Sequence, residues 1–147
     1  MNLVNGSKDM LEEILSRPLF AHLSTVEKNE PHDSPVWFLW ENERIWILGS
    51  YQSNSFTRRI EKESNCAVGI VDFNRETGLV HHVGLRGKAE LQSHQEDKVK
   101  RLFTKYMGHE KHWDPRFKAV LGDSDWLLVC FTPNSVVVRD QSYQLIK

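Results

Sequence analysis

Apolar and polar positions alternate along much of this chain with the period of two that marks strands half-buried in a sheet. LFAHLSTVE, residues 19 to 27, is rich in strand formers, KNE follows as a turn, and HDSPVWFLW, the turn ENE and RIWILGS add two more strands. NCAVGIVDF predicts a fourth strand. After NRETG the long run LVHHVGLRGKAELQ predicts a fifth, in which Val83, Leu85, Gly87, Ala89 and Leu91 alternate with partly charged neighbours and set one face inward. DWLLVCFTP and SVVVRD predict two final strands.

Other segments carry helical spacing. Ser7 caps a predicted helix whose Met10, Leu11, Ile14 and Leu15 share one face and which ends before Pro18. Asn54 to Glu63 reads as a short helix, capped by Ser53 or Asn54, with Phe56 and Ile60 inward and Arg58, Glu61 and Lys62 in water. Ser93 and Glu96 match a capping box, and Val99, Leu102, Phe103, Tyr106 and Met107 form the stripe behind it, ending at Gly108. Asp114 and Pro115 open a last short helix through Phe117, Val120 and Leu121, closed by Gly122. Spacers as short as KNE and ENE suit antiparallel hairpins, because parallel pairs need crossovers of about a dozen residues or more. The pattern predicts a mainly β, α+β fold: an antiparallel barrel of about six to seven strands with peripheral helices.

Composition narrows the function classes. The 147 residues fit one domain, residues 1–147, and no apolar run approaches the ~20 residues of a membrane helix. The N-terminus has no cationic start followed by an apolar core and cleavage site, so the expected location is cytoplasmic. Cys66 and Cys130 lie in apolar runs without a CxxC and read as buried thiols. Lysine and arginine number 19 against 20 acidic residues and are scattered except at Arg58 and Arg59, which argues against a nucleic-acid partner. The chain lacks a P-loop, a GxGxxG and a nucleophile elbow. His81, His82 and the pair His109 and His112 are a weak metal signal, since strand alternation sends His81 and His82 to opposite faces, and no metal is expected.

One stretch carries candidate chemistry. In HDSPVWFLWENERIWILGSYQSNSFTRRI two tryptophan-rich strands precede a hydroxyl-rich turn and two adjacent arginines, a pairing that suits a ligand with a flat ring and an anionic tail. Ser50, Ser53, Asn54 and Ser55 bring short polar groups to a helix start, whose free N–H groups and dipole favour a phosphate, and Arg58 and Arg59 follow one turn later. The plainer reading makes Trp37, Trp40 and Trp46 core aromatics and lets the arginines pair with Glu61 and Glu63 on a solvated face.

Taken in order, these features resemble the FMN-binding split-barrel family typified by pyridoxamine 5'-phosphate oxidase, in its short single-domain form, from about Leu15 to Asp140. FAHLSTVEKNEPHDSPVWFLWENERIWILGS is similar to the opening three strands of the family, and SYQSNSFTRRIEKESNCAVGI to its phosphate-binding turn and helix. LRGKAEL resembles its glycine-centred fifth strand, and DWLLVCFTPNSVVV its last hairpin. The resemblance implies a split β-barrel homodimer with FMN between the subunits. It implies that Pro35, Val36, Trp37 and Phe38 present backbone to the ring, and that His82 stands where the family has a cofactor-contacting glutamine. Gly49, Ser50, Asn54, Ser55 and Phe56 fall around the phosphate with Arg58 and Arg59, and Trp126 and Arg139 are contributions from the partner. Two departures stand out. Ser55 and Phe56 occupy positions that are cationic in the family, and the chain ends VVVRDQSYQLIK, with Arg139 alone in place of a basic substrate motif, which argues against vitamin B6 oxidation. The implied function is an FMN-dependent oxidoreductase for a small molecule, with a nicotinamide or other electron donor. The alternatives are a non-catalytic flavin or heme sensor and an F420-dependent reductase.

Overall fold

The computed structural model describes residues 1–147. Its strands are β1 (Asn2–Asn5), β2 (Ala21–Glu27), β3 (Glu30–Val36), β4 (Leu39–Glu41), β5 (Arg44–Ser50), β6 (Asn65–Asn74), β7 (Leu79–Gln92) and β8 (Trp126–Asp140). Its helices are α1 (Lys8–Leu15), α2 (Ser55–Lys62), α3 (Glu96–Met107) and α4 (Pro115–Val120), with one 3-10 turn at Glu110–His112. Ser7 caps α1 as expected, its Oγ accepting from the Met10 N–H at 3.1 Å. Lys28 and Asn29 join β2 to β3, and Asn42 and Glu43 join β4 to β5; all four have positive φ, from 51° to 65°. Such left-handed two-residue turns match the twist of the strands they connect.

The sheet runs β3-β2-β6-β7-β8-β5-β4, so β3 and β4, consecutive in the chain, lie at opposite edges. Only Trp37 and Phe38 separate them. A link this short spans at most about 10 Å between the flanking Cα atoms. The sheet must therefore curl until its edges nearly meet, and because β3 and β4 do not pair, the barrel stays split there.

Several sequence expectations change. HDSPVWFLW is not one strand: it breaks at Trp37 and Phe38, where the chain crosses the split. The two final strands are one, β8, which runs on through Pro133 and Asn134 without a turn. Gly87 pairs with Pro133 and Arg86 with Ser135, leaving Asn134 as the extra residue of a bulge that absorbs the missing proline N–H. The strand count is eight, and β1 runs parallel to the second half of β8, which β5 leaves free beyond Phe131. The capping box does not form: α3 starts at Glu96 behind Gln95, without a side-chain cap, because the side chain of His94 fastens this segment elsewhere.

The barrel interior holds Leu23, Phe38, Ile47, Ile70, Leu85 and Phe131 among its fully buried side chains, sealed at one side by Leu11, Ile14 and Leu15 of α1. A second cluster packs Trp46, Leu128 and Cys130 against Val99, Leu102 and Phe103 of α3, with Trp113 beneath. Both cysteines are free and buried, and burial pushes the Cys66 thiol up to about 11. Trp46 is covered by the Lys98 ammonium at 3.3 Å, and the Trp40 Nε1–H donates to Glu12 at 2.7 Å, so these two tryptophans serve packing.

A Cβ at Gly87 would stand 2.1 Å from the Thr132 carbonyl oxygen and 2.8 Å from the Pro133 Cα, both backbone atoms, whereas one at Gly69 meets nothing within 4 Å. Gly87→Ala is expected to destabilise the chain by about 3 kcal/mol and Gly69→Ala by less than about 0.5 kcal/mol in urea unfolding.

Candidate functional site

The backbone that crosses the split has no ladder to join, and α3 satisfies it. The Phe38 N–H donates to the Tyr106 hydroxyl at 3.0 Å, and that hydroxyl donates to the Leu19 carbonyl at 2.6 Å. Lys105 Nζ donates to the carbonyls of Phe38 and Leu15 at 3.0 and 2.8 Å and lies 3.6 Å from the centre of the Phe38 ring. Burial drives Tyr106 up to about 12, so its phenol stays protonated and keeps donating. Burial pulls Lys105 down to about 7. Trp37, next to this clamp, stacks on Tyr106 at 4.5 Å and on Phe117 at 5.7 Å.

A cavity of about 470 Å³ opens at the split. Asp33, Pro35 and Val36 of the β3 edge form one wall with Trp37 just beyond it, and Ser53, Asn54, Ser55 and Phe56 form the polar end. Leu102 and Phe103 of α3, Phe117 and Val120 of α4, Leu48 and Trp126 complete an apolar, largely aromatic slot. β3 pairs only with β2, so alternate backbone groups on its other side lack ladder partners. Such an edge offers donors and acceptors to the polar rim of a flat ring.

At the polar end, Ser50 and Asn54 close a tight turn: the Asn54 Oδ1 accepts from the Ser50 N–H at 2.8 Å, and the Ser50 carbonyl accepts from the Asn54 N–H at 2.9 Å. Neither Asn54 nor Ser53 therefore caps α2 through its side chain, contrary to the sequence expectation, and the N–H groups of Ser55 and Phe56 have no protein acceptor. Arg58 donates to the carbonyls of Tyr51 and Gln52 and so ties the turn down from below. Arg59 is only 8% exposed. Its Nε donates to Thr25 Oγ1 at 2.7 Å and its Nη1 to Ser55 Oγ at 2.9 Å, yet none of the structure's ion pairs includes it. Glu27 and Glu63 border the same small groove as Arg59 but neither forms an ion pair with it, and a buried charge without a direct counter-charge is costly.

Of the residues singled out in the sequence, Pro35, Val36, Trp37, Asn54, Ser55, Phe56 and Trp126 line this one cavity. Trp126 lines it from this same chain. Phe38 points into the barrel core. Gly49 and Ser50 lie beneath the turn, where a Cβ on Gly49 would meet Thr57 and Phe56 at 2.8 and 2.9 Å. His82 and Arg139 face each other across β7 and β8 in a separate groove of about 530 Å³ on the outer sheet face, with Ala67, Gly69 and Gly84 as its floor. His81 is turned the other way, with Arg17 Nη1 3.0 Å from its Nδ1. No three histidine, cysteine or carboxylate side chains converge as a metal site would require. The walls from α3 and α4 were hidden in the sequence, since Leu102, Phe103, Phe117 and Val120 fall on stripes that also serve the core.

An antiparallel barrel interrupted at a two-residue bridge, with its cavity at the interruption, defines the split β-barrel class. A family profile described as Pyridoxamine 5'-phosphate oxidase matches residues 7–133, and the chain belongs to that family. Solved structures share the fold. A conserved hypothetical protein of Mycobacterium tuberculosis matches with a TM-score of 0.75 and 13% identity, covering 97% of this chain and 92% of that one. An F420 reductase matches with a TM-score of 0.66 and 21% identity, covering 85% and 94%. General Stress Protein 26 of Bacillus anthracis matches with a TM-score of 0.67 and 18% identity, covering 94% and 98%. No curated protein matches the chain in sequence.

Lys105 gives the clamp a pH signature. Its value of about 7 in the folded chain lies below the ordinary 10.5, so between those limits the unfolded chain binds more protons and stability rises with pH. Urea unfolding at about pH 7 and about pH 9 is expected to show this rise in the native sequence and its loss in Lys105→Met. Parallel pH profiles for the two proteins would remove Lys105 from this role.

Proposed function

We propose that this chain is an FMN-dependent oxidoreductase that holds its flavin at the split of the barrel, with the phosphate against the start of α2. The single observation that carries this reading is Arg59, a buried guanidinium with no carboxylate partner, bonded to a serine that lines the cavity. A phosphate at Ser55 would supply the missing negative charge and accept from the free N–H groups of Ser55 and Phe56. The aromatic slot between Trp37, Phe103, Phe117 and Trp126 suits a flat ring and keeps water from it. A flavin held there would supply the redox chemistry that the side chains of this chain lack, with a nicotinamide or another donor as the source of reducing equivalents. Asp33 is the only ionisable side chain in the lining, so the residues of this chain bind, orient and desolvate rather than move protons.

Two features favour a homodimer as the working form. Val71 and Phe73 on the outer sheet face are 56% and 59% exposed, and Val4 and Phe20 are exposed as well, which leaves apolar area that a second copy would cover. The groove of His82 and Arg139 lies on the same face, where it can join a partner's site. F420 is the second reading, since it too combines a flat ring with a phosphate and one relative of this fold is an F420 reductase. Heme is disfavoured because no histidine, cysteine or methionine lines the cavity to bind its iron.

Titrating FMN into the purified chain and following flavin absorption tests the proposal. Arg59→Ala is expected to weaken binding by about tenfold or more, and Arg58→Ala by less, because Arg58 acts through the turn. No spectral change with FMN would refute the reading. Sedimentation should give a dimer that Phe73→Asp shifts towards monomer, and a native monomer would remove the shared site.

A further inference from the structure

His94 lies in the connection between β7 and α3, away from the cavity lining. Its Nε2 is 2.7 Å from the Leu121 carbonyl oxygen and its Nδ1 is 3.0 Å from the Trp126 carbonyl oxygen. A carbonyl oxygen only accepts, so both bonds form only when both ring nitrogens carry protons. Neutral imidazole has one N–H and one lone pair, and it can serve one of these carbonyls while repelling the other.

The two carbonyls bracket a loop that matters to the site. Leu121 is the C-cap of α4, whose Phe117 and Val120 line the cavity, and Trp126 lines it from the start of β8. α4 has no fully buried residue, so packing alone holds it weakly, and a cation at its free C-terminal carbonyls is favourable. The ionisable residues on the segments that the ring joins are Glu90 near the end of β7, Glu96, Asp97 and Lys98 in the first turn of α3, and Lys118, Asp123 and Asp125 of the α4 segment. None of them is hydrogen-bonded or ion-paired to His94.

We propose that His94 is a positioning residue that latches α4 over the cavity as the imidazolium and releases it on losing a proton. Closure is then strongest at low pH, where the ring holds both protons, and weakens as pH rises and one of them is lost. The latch is a property of the ligand-free chain, whereas its effect on a bound ligand rests on the flavin reading above.

Hydrogen exchange of the amides from 113 to 126, corrected for intrinsic rates, reads the latch without ligand, and FMN titration reads its effect on the site. From about pH 5.5 to about pH 8, lid exchange in the native sequence is expected to speed up by about tenfold, the scale of one charge-assisted hydrogen bond, with FMN binding weakened in parallel. His94→Gln, which has one donor group and no titration, should show fast exchange at both values. Ring 15N shifts of the native protein, which need no variant, should show His94 doubly protonated at the lower pH. A neutral ring there, or a lid whose exchange ignores pH, overturns the latch. Lid exchange that follows pH in a protein that binds no flavin upholds the latch and overturns the flavin reading instead.

Discussion

Two residues must carry the chain from one edge of the sheet to the other, and the site follows from that constraint. Trp37 and Phe38 are too few to cross an open sheet, so the sheet curls, and they cannot join a ladder while they cross. Buried backbone groups without partners cost about as much as a lost hydrogen bond each. Tyr106 and Lys105 answer them from α3, which fixes where α3 lies against the split. Leu102 and Phe103, on the same helix, thereby become a wall of the cavity, and the Trp37 ring is held flat against Tyr106 and Phe117. The opening in the barrel and the slot beside it have one cause.

The polar end of the slot depends on a second economy of position. Ser55 and Phe56 carry no charge, but a helix brings residue i+4 back over residue i. Arg59 returns to Ser55 in this way and reaches its Oγ at 2.9 Å, so the charge enters the site through a serine instead of standing in it. Arg58, one residue earlier, points off that face and holds the turn by its carbonyls. The adjacent arginines thus divide between charge and scaffold.

Much of the fold was legible because its signals are local. Period-two alternation, the KNE and ENE turns and the Ser7 cap each depend on a few neighbouring residues and appear where expected. The failures came where a distant partner decides. DWLLVCFTPNSVVV reads as a hairpin until Gly87 is seen opposite Pro133, and the Ser93 capping box loses to a histidine fastened to two carbonyls about 30 residues on. In the site, the turn and the β3 edge were legible from serines, asparagine and proline at a helix start and a strand. The burial of Arg59 and the clamp of Lys105 were not, since exposed and buried cations on a helix share one sequence pattern.

On the proposed reading, a ligand's phosphate meets the charge of Arg59 and the open start of α2. Comparing the affinities of FMN and riboflavin, which share a ring and differ in that phosphate, tests it most directly. FMN is expected to bind at least about tenfold more tightly, and Arg59→Ala to erase most of the difference while leaving riboflavin little changed. Equal affinities for the two flavins in the native protein would contradict it.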